Sequence, residues 1–139
     1  MALILCASSA AAEDALCTLA LDLDARIVAV TGDPPATACP VIGRALPEGG
    51  LRSQAGAFDQ VTQRIEIAPD LDLTTAWGQS FLLHELVHFA QARGNRLNAC
   101  EGVLEAEAYR MQADFLREKG ATKDARTVTA LSAILGGCD

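Results

Sequence analysis

The chain of 139 residues has two histidines, and both fall in one pentapeptide, His84-Glu85-Leu86-Val87-His88. Residues four apart on a helix project from one face about a turn apart, so the two imidazoles can reach a single metal ion. Glu85 flanks that ion without having to ligate it. A carboxylate there can take a proton from a metal-bound water. This is the physical content of the His-Glu-x-x-His zinc motif. The blander reading is a pair of unrelated histidines on a helix. Their neighbours weigh against it, because Phe81, Leu83, Val87 and Phe89 make an apolar setting in which two neutral imidazoles need partners.

A catalytic zinc takes three protein ligands and keeps one position open. With no further histidine, a three-histidine site is excluded, and the candidates cluster between Glu101 and Glu107. If this segment is helical, Leu104, Ala108, Met111 and Phe115 form its core stripe. Glu105 lies beside that stripe, flanked by Ala108, Tyr109, Gln112 and Leu116. Glu107 is expected to point outward with Arg110 and Asp114 and to pair with Arg110 on the surface. Glu101 shares the face of Glu105 but sits in the first turn, where it also reads as the capping partner of Asn98. Glu105 is therefore the expected third ligand and Glu101 the second candidate. Tyr109, the chain's one tyrosine, lies one turn after Glu105. It is a candidate donor to a developing oxyanion, with a half-buried core tyrosine as the alternative. Gln91 and Gln112 are either outer partners of the ligands or solvated side chains.

These residues resemble those of the gluzincins, such as the thermolysin-like peptidases. There a glutamate on the helix after the motif completes the zinc site, and the motif glutamate is the general base. The stretch Leu104-Glu105-Ala106-Glu107-Ala108-Tyr109 is similar to the Glu-x-x-Ala-Asp segment of membrane prenyl-protein endopeptidases, whose first glutamate maps onto Glu105. It departs from them at Tyr109, where those families carry an aspartate that orients a zinc-bound histidine. A nearer likeness, over about residues 56–116, is to small exported bacterial proteins of unknown function. These carry His-Glu-Leu-Val-His-x-x-Gln and then Glu-x-Glu-Ala-Tyr-x-x-Gln, here His84 to Gln91 and Glu105 to Gln112. The resemblance implies a zincin-like domain and a Zn2+ cofactor. It also implies an edge strand beside the metal, matched here by Arg64 to Ala68, that pairs with an extended substrate. The alternative for that strand is an ordinary edge.

The elements that must position these residues follow from periodicity. Leu16, Leu19, Leu23 and Ile27 have helical spacing between Glu13 and about Val28. From Gly32 to Gly56 the Pro and Gly breaks predict loop or short extended pieces. Ala57 to Asp59 and Arg64 to Ala68 read as two strands around a turn, the second alternating polar and apolar. The motif helix starts at a Thr74 or Thr75 cap, runs to Arg93 and is expected to stop at a left-handed Gly94. It is apolar nearly all round, as a buried helix is. A helix from a cap at Asn98 to Lys119 stops at Gly120. A last one, about Lys123 to Leu135, carries Val128, Leu131 and Ile134 as its buried stripe. The expected architecture is α+β: a mainly helical, minimal zincin-like domain with a short β-hairpin or small sheet before the motif helix.

At the scale of the chain there is room for one domain, expected over residues 13–139. Residues 1–12 read as a signal-peptide remnant, apolar and then small, with Ala10-Ala11-Ala12 before Glu13. The alternative is an N-terminal helix of the domain. Of five cysteines, Cys6 would leave with that segment. Cys17, Cys39, Cys100 and Cys138 remain without any Cys-x-x-Cys pair, which suits two disulfides in an oxidising compartment. An antiparallel pairing of the last two helices brings Cys100 and Cys138 to one end and leaves Cys17 for Cys39, one of three possible connectivities. The expected location is periplasmic or secreted. No other stretch approaches a membrane span, and a net charge of −7 argues against nucleic acid or anionic lipid as partner. The function expected is a zinc peptidase acting on a peptide or protein. The competing reading is an inactive zincin-like scaffold that binds a metal or a partner.

Overall fold

The computed structural model describes residues 6–46 and 55–138. Four helices and three short strands appear among them, in the order α1 (Cys6–Thr31), β1 (Val41–Gly43), β2 (Gly56–Asp59), β3 (Arg64–Ile67), α2 (Ala76–Arg93), α3 (Glu101–Glu118) and α4 (Thr122–Leu135). The fold is mainly helical α+β, as the periodicity predicts. Residues 1–5 of the expected leader lie outside the described residues, and α1 is continuous from Cys6. Residues 9–15 are exposed; packing begins at Leu16 and deepens at Ala20, Leu23 and Ile27.

α2 is the axis of the molecule. Its residues Leu82, Leu83, Leu86 and Val87 are fully buried, packed with Leu23 and Ile27 of α1, Ile65 and Ile67 of β3, and Met111 and Phe115 of α3. Thr75 caps α2, its hydroxyl accepting from the Gly78 N–H at 3.0 Å. At the other end the helix stops differently from expectation. Gly94 has an ordinary φ of −78°, and the left-handed residue is Asn95, at φ 54°. Asparagine tolerates that region better than other residues with a Cβ.

The strands form one sheet in the order β1-β3-β2. β2 and β3 are an antiparallel hairpin, and β1 joins β3 in parallel. The hairpin turn is held by Asp59, whose carboxylate accepts the Val61 and Thr62 N–H groups at 2.8 and 3.0 Å. The proline-rich region contributes β1, one of the short extended pieces expected there. One expectation changes: β3 is the central strand and not an edge.

The ends of the chain are tied by disulfides in the expected pairing, Cys17–Cys39 and Cys100–Cys138, with Cα separations of 5.5 and 6.1 Å. Such bonds suit an oxidising, extracellular environment. No helix among the described residues is long and apolar enough to cross a membrane. α3 starts at a Cys100 cap without any side-chain cap bond, so Asn98 and Glu101 do not form the expected capping box. Gly120 takes the left-handed φ of 79° that ends the helix. On α4 only Ala125 and Val128 are buried. Leu131 is half-exposed and Ile134 75% exposed, contrary to the expected stripe, because α4 packs mainly on α3 and buries only its first turns.

Candidate metal centre

Two adjacent helices build the site. α2 presents His84 and His88 one turn apart, and α3 presents Glu105 opposite them. The carboxylate of Glu105 lies 3.2 Å from Nε2 of His84 and 3.1 Å from Nε2 of His88. The two Nε2 atoms are 3.3 Å apart. These residues form a group that could hold a metal ion. Of the two glutamates weighed from the sequence, Glu105 is the one brought to the histidines. Glu101 is exposed in the first turn of α3.

The remaining hydrogen bonds decide which ring nitrogens are free. Nδ1 of His84 faces Oε1 of Gln112 at 3.1 Å. Nε2 of Gln112 donates to the Ser80 hydroxyl at 3.1 Å, and Ser80 gives its own proton to the Trp77 carbonyl at 2.7 Å. Ser80 can then only accept from Gln112, so the Gln112 oxygen must face His84 and Nδ1 must carry the hydrogen. On the second histidine, Nδ1 faces Oε1 of Gln91 at 2.9 Å. Nε2 of Gln91 donates to the Leu104 carbonyl at 3.0 Å and to Glu107 at 2.8 Å, both pure acceptors. Nδ1 of His88 is therefore a donor too. In the neutral rings both Nε2 lone pairs converge on each other and on a carboxylate. Such an arrangement favours a cation between them, either a proton or a metal ion.

Electrostatics agree with that need. Burial alone would raise the Glu105 pKa, but hydrogen bonds with His84 and His88, and their charges, hold it well below the usual carboxylate range. Burial pushes His88 down, yet its bonds to Glu105 and Gln91, with the charges of Glu105 and Glu85, leave it raised. Glu85 is itself buried and its pKa is raised by that burial, with the charges of His84 and His88 opposing. It sits under β2: a Cβ on Gly56 would lie 2.8 Å from Cγ of Glu85 and 3.0 Å from Oε1. Tyr109 is half-buried, its ring edge-on to His84 with centroids 4.5 Å apart.

Glu107 is not the surface partner of Arg110 that helical spacing suggests. It turns inward to Gln91 and to Arg96, whose Nη1 is 2.9 Å away. Arg96 is in turn bound to the buried Asp33. Ser80, Arg96 and Asp33 join this outer layer from positions that no motif or periodicity marks. The spacing of Gln91 three residues after His88, and of Gln112 two turns after Glu105, is the one local trace of this outer layer. Asp114 lies outside the site, paired with Arg117 on the surface.

Fold and site together define a mainly helical α+β domain whose motif helix and following helix form a two-histidine, one-glutamate centre able to hold a metal ion. Residues 21–135 match the family described as Domain of unknown function (DUF6647), and the chain belongs to it. No curated protein and no solved structure matches the chain.

Proposed function

We propose that this chain is a zinc-dependent peptidase of gluzincin-like type, working outside the cytoplasm on peptide or protein substrates. The observation that carries the reading is the convergence of two histidine Nε2 atoms and a carboxylate, with Glu85 buried beside them. Zinc with bonds of about 2.0–2.1 Å in tetrahedral array sets its ligand atoms about 3.3 Å apart. The two Nε2 atoms are 3.3 Å apart, matching that edge length, and each has one oxygen of the Glu105 carboxylate at a similar distance, Oε2 at 3.2 Å from His84 and Oε1 at 3.1 Å from His88. Two neutral imidazoles and one carboxylate are a three-ligand set of the catalytic kind.

Zinc held by His84, His88 and Glu105 would polarise a scissile carbonyl and lower the pKa of water. Glu85 accepts the proton of the attacking water and returns it to the leaving amine nitrogen. Its burial favours that exchange, since a raised carboxyl holds a proton more readily than an exposed one. Tyr109, whose ring packs on that of His84, would donate to the carbonyl oxygen as negative charge grows there. β2, not β3, is the edge strand that lies over Glu85, and an extended substrate would pair with it.

The test is metal content by mass spectrometry on protein purified without chelator, followed by a peptide-cleavage screen. One zinc per chain is expected in the wild type and in Glu101→Gln, and none in Glu105→Gln. Glu85→Gln should keep its zinc and lose cleavage by two to four orders of magnitude, the usual share of a general base. A wild type that stays metal-free after zinc is added back overturns the proposal.

A further inference from the structure

We propose that Glu107 is a positioning residue of the metal centre: seated by Arg96, it holds the Gln91 amide the one way round that leaves Nε2 of His88 free for a ligand bond. The inference rests on the metal-binding reading and adds to it a group that never touches the ion.

A chain of contacts runs from the loop after α1 to the centre. Asp33 accepts from Nε of Arg96 at 2.8 Å, Nη1 of Arg96 donates to Oε2 of Glu107 at 2.9 Å, and the same oxygen accepts from Nε2 of Gln91 at 2.8 Å. Oε1 of Gln91 then accepts from His88 at 2.9 Å. Turning the Gln91 amide over would set its oxygen against two acceptors, Glu107 and the Leu104 carbonyl. It would also aim an N–H at Nδ1 of His88, driving that ring's proton onto Nε2, where the ligand bond must form. Without Glu107 the Leu104 carbonyl alone opposes the flip. His84 is held separately, through Gln112 and Ser80. It therefore reports whether a change is specific to His88 or general to the site.

The experiment records ring tautomers by long-range 1H–15N correlation on 15N-labelled, chelator-treated full-length protein. The pH is alkaline enough for both imidazoles to be neutral, and zinc titrations run in parallel. In the wild type both rings should carry the proton on Nδ1. In Glu107→Ala, His88 should shift toward the Nε2–H form while His84 does not, and zinc binding should weaken roughly 10- to 100-fold, as for other lost outer partners of metal ligands. Glu107→Gln should stay within a few-fold of wild type, because Arg96 can only donate and so keeps the new amide oxygen toward Gln91.

Unchanged His88 tautomer and zinc affinity in Glu107→Ala would overturn the proposal. So would Glu107→Gln as weak as Glu107→Ala, which would make the effect one of charge, or both histidines shifting together, which would make it structural. Should Glu107→Ala not fold, an Nε2–H form of His88 in the wild type is by itself decisive against it. If the wild type binds no zinc, the peptidase reading fails while the tautomers still judge this one.

Discussion

Glu85 is the residue on which the proposed catalysis turns, and its position depends on a glycine. β2 passes so close over it that any side chain at Gly56 would sit 2.8 Å from Cγ of Glu85. The glutamate is buried, so it cannot swing into solvent to make room. Gly56→Ala should therefore displace the carboxylate and leave His84, His88 and Glu105 in place. Misplacing a reacting group by about 1 Å can cost on the order of 100-fold. The expected result is a 10- to 100-fold loss in kcat with full zinc content, read from peptide turnover and metal analysis on the same preparation. Unchanged turnover with full zinc would put Glu85 outside the chemistry. The histidines were legible from spacing, because the helix repeat fixes which side chains share a face; spacing left Glu101 beside Glu105, and the place of Glu105 next to the core stripe is what ranked it first. Glu107 was misread for the complementary reason. Local spacing offered Arg110, and the partner that wins, Arg96, lies in the α2–α3 connection, where helix periodicity says nothing.

At the scale of elements the same division recurs. α2 could be delimited from its threonine cap and its all-round apolar character. β1 was legible only as one of several short extended pieces, since three residues in a proline-rich stretch carry no periodicity. Its pairing with β3 was not legible, and that pairing is what makes β3 a central strand and not an edge. The α3–α4 hairpin shows a close approach that sequence hides. A Cβ on Gly102 would collide with the backbone carbonyl of Gly137, just beside the Cys100–Cys138 disulfide. Backbone cannot move aside as a side-chain tip can. Gly102→Ala should then lower unfolding free energy by about 1–3 kcal/mol, the usual range for overpacking, despite alanine's better helix propensity. Urea denaturation under non-reducing conditions measures it. A stabilised variant would mean that the two helices do not touch there.

For the whole molecule, stability and metal binding are linked through protons. Burial alone would raise Asp33, but bonds to Arg96 and Thr31 hold it below its ordinary pKa, and Glu105 is depressed as well. A depressed carboxyl adds stability above its unfolded pKa, about 4, that is lost as pH falls through the folded value. His88 is raised. Its contribution is complete below its unfolded pKa, about 6.5, and disappears as pH rises through the folded one. Glu85 is raised by burial, so its contribution too is complete below its unfolded pKa, about 4.3, and is lost as pH rises. The metal-free chain should thus decline on the acid side through Asp33 and Glu105 and on the alkaline side through Glu85 and His88. Asp33→Asn should flatten the acid side. Zinc should reverse the alkaline side, because the ion binds His88 only without its proton. The Tm gained on adding zinc is then expected to grow from pH 5 to pH 8, as ligand linkage adds to stability in proportion to the affinity at each pH. Thermal scans with chelator and with excess zinc across that range decide it. A gain that does not change with pH would mean that zinc is not held by His88.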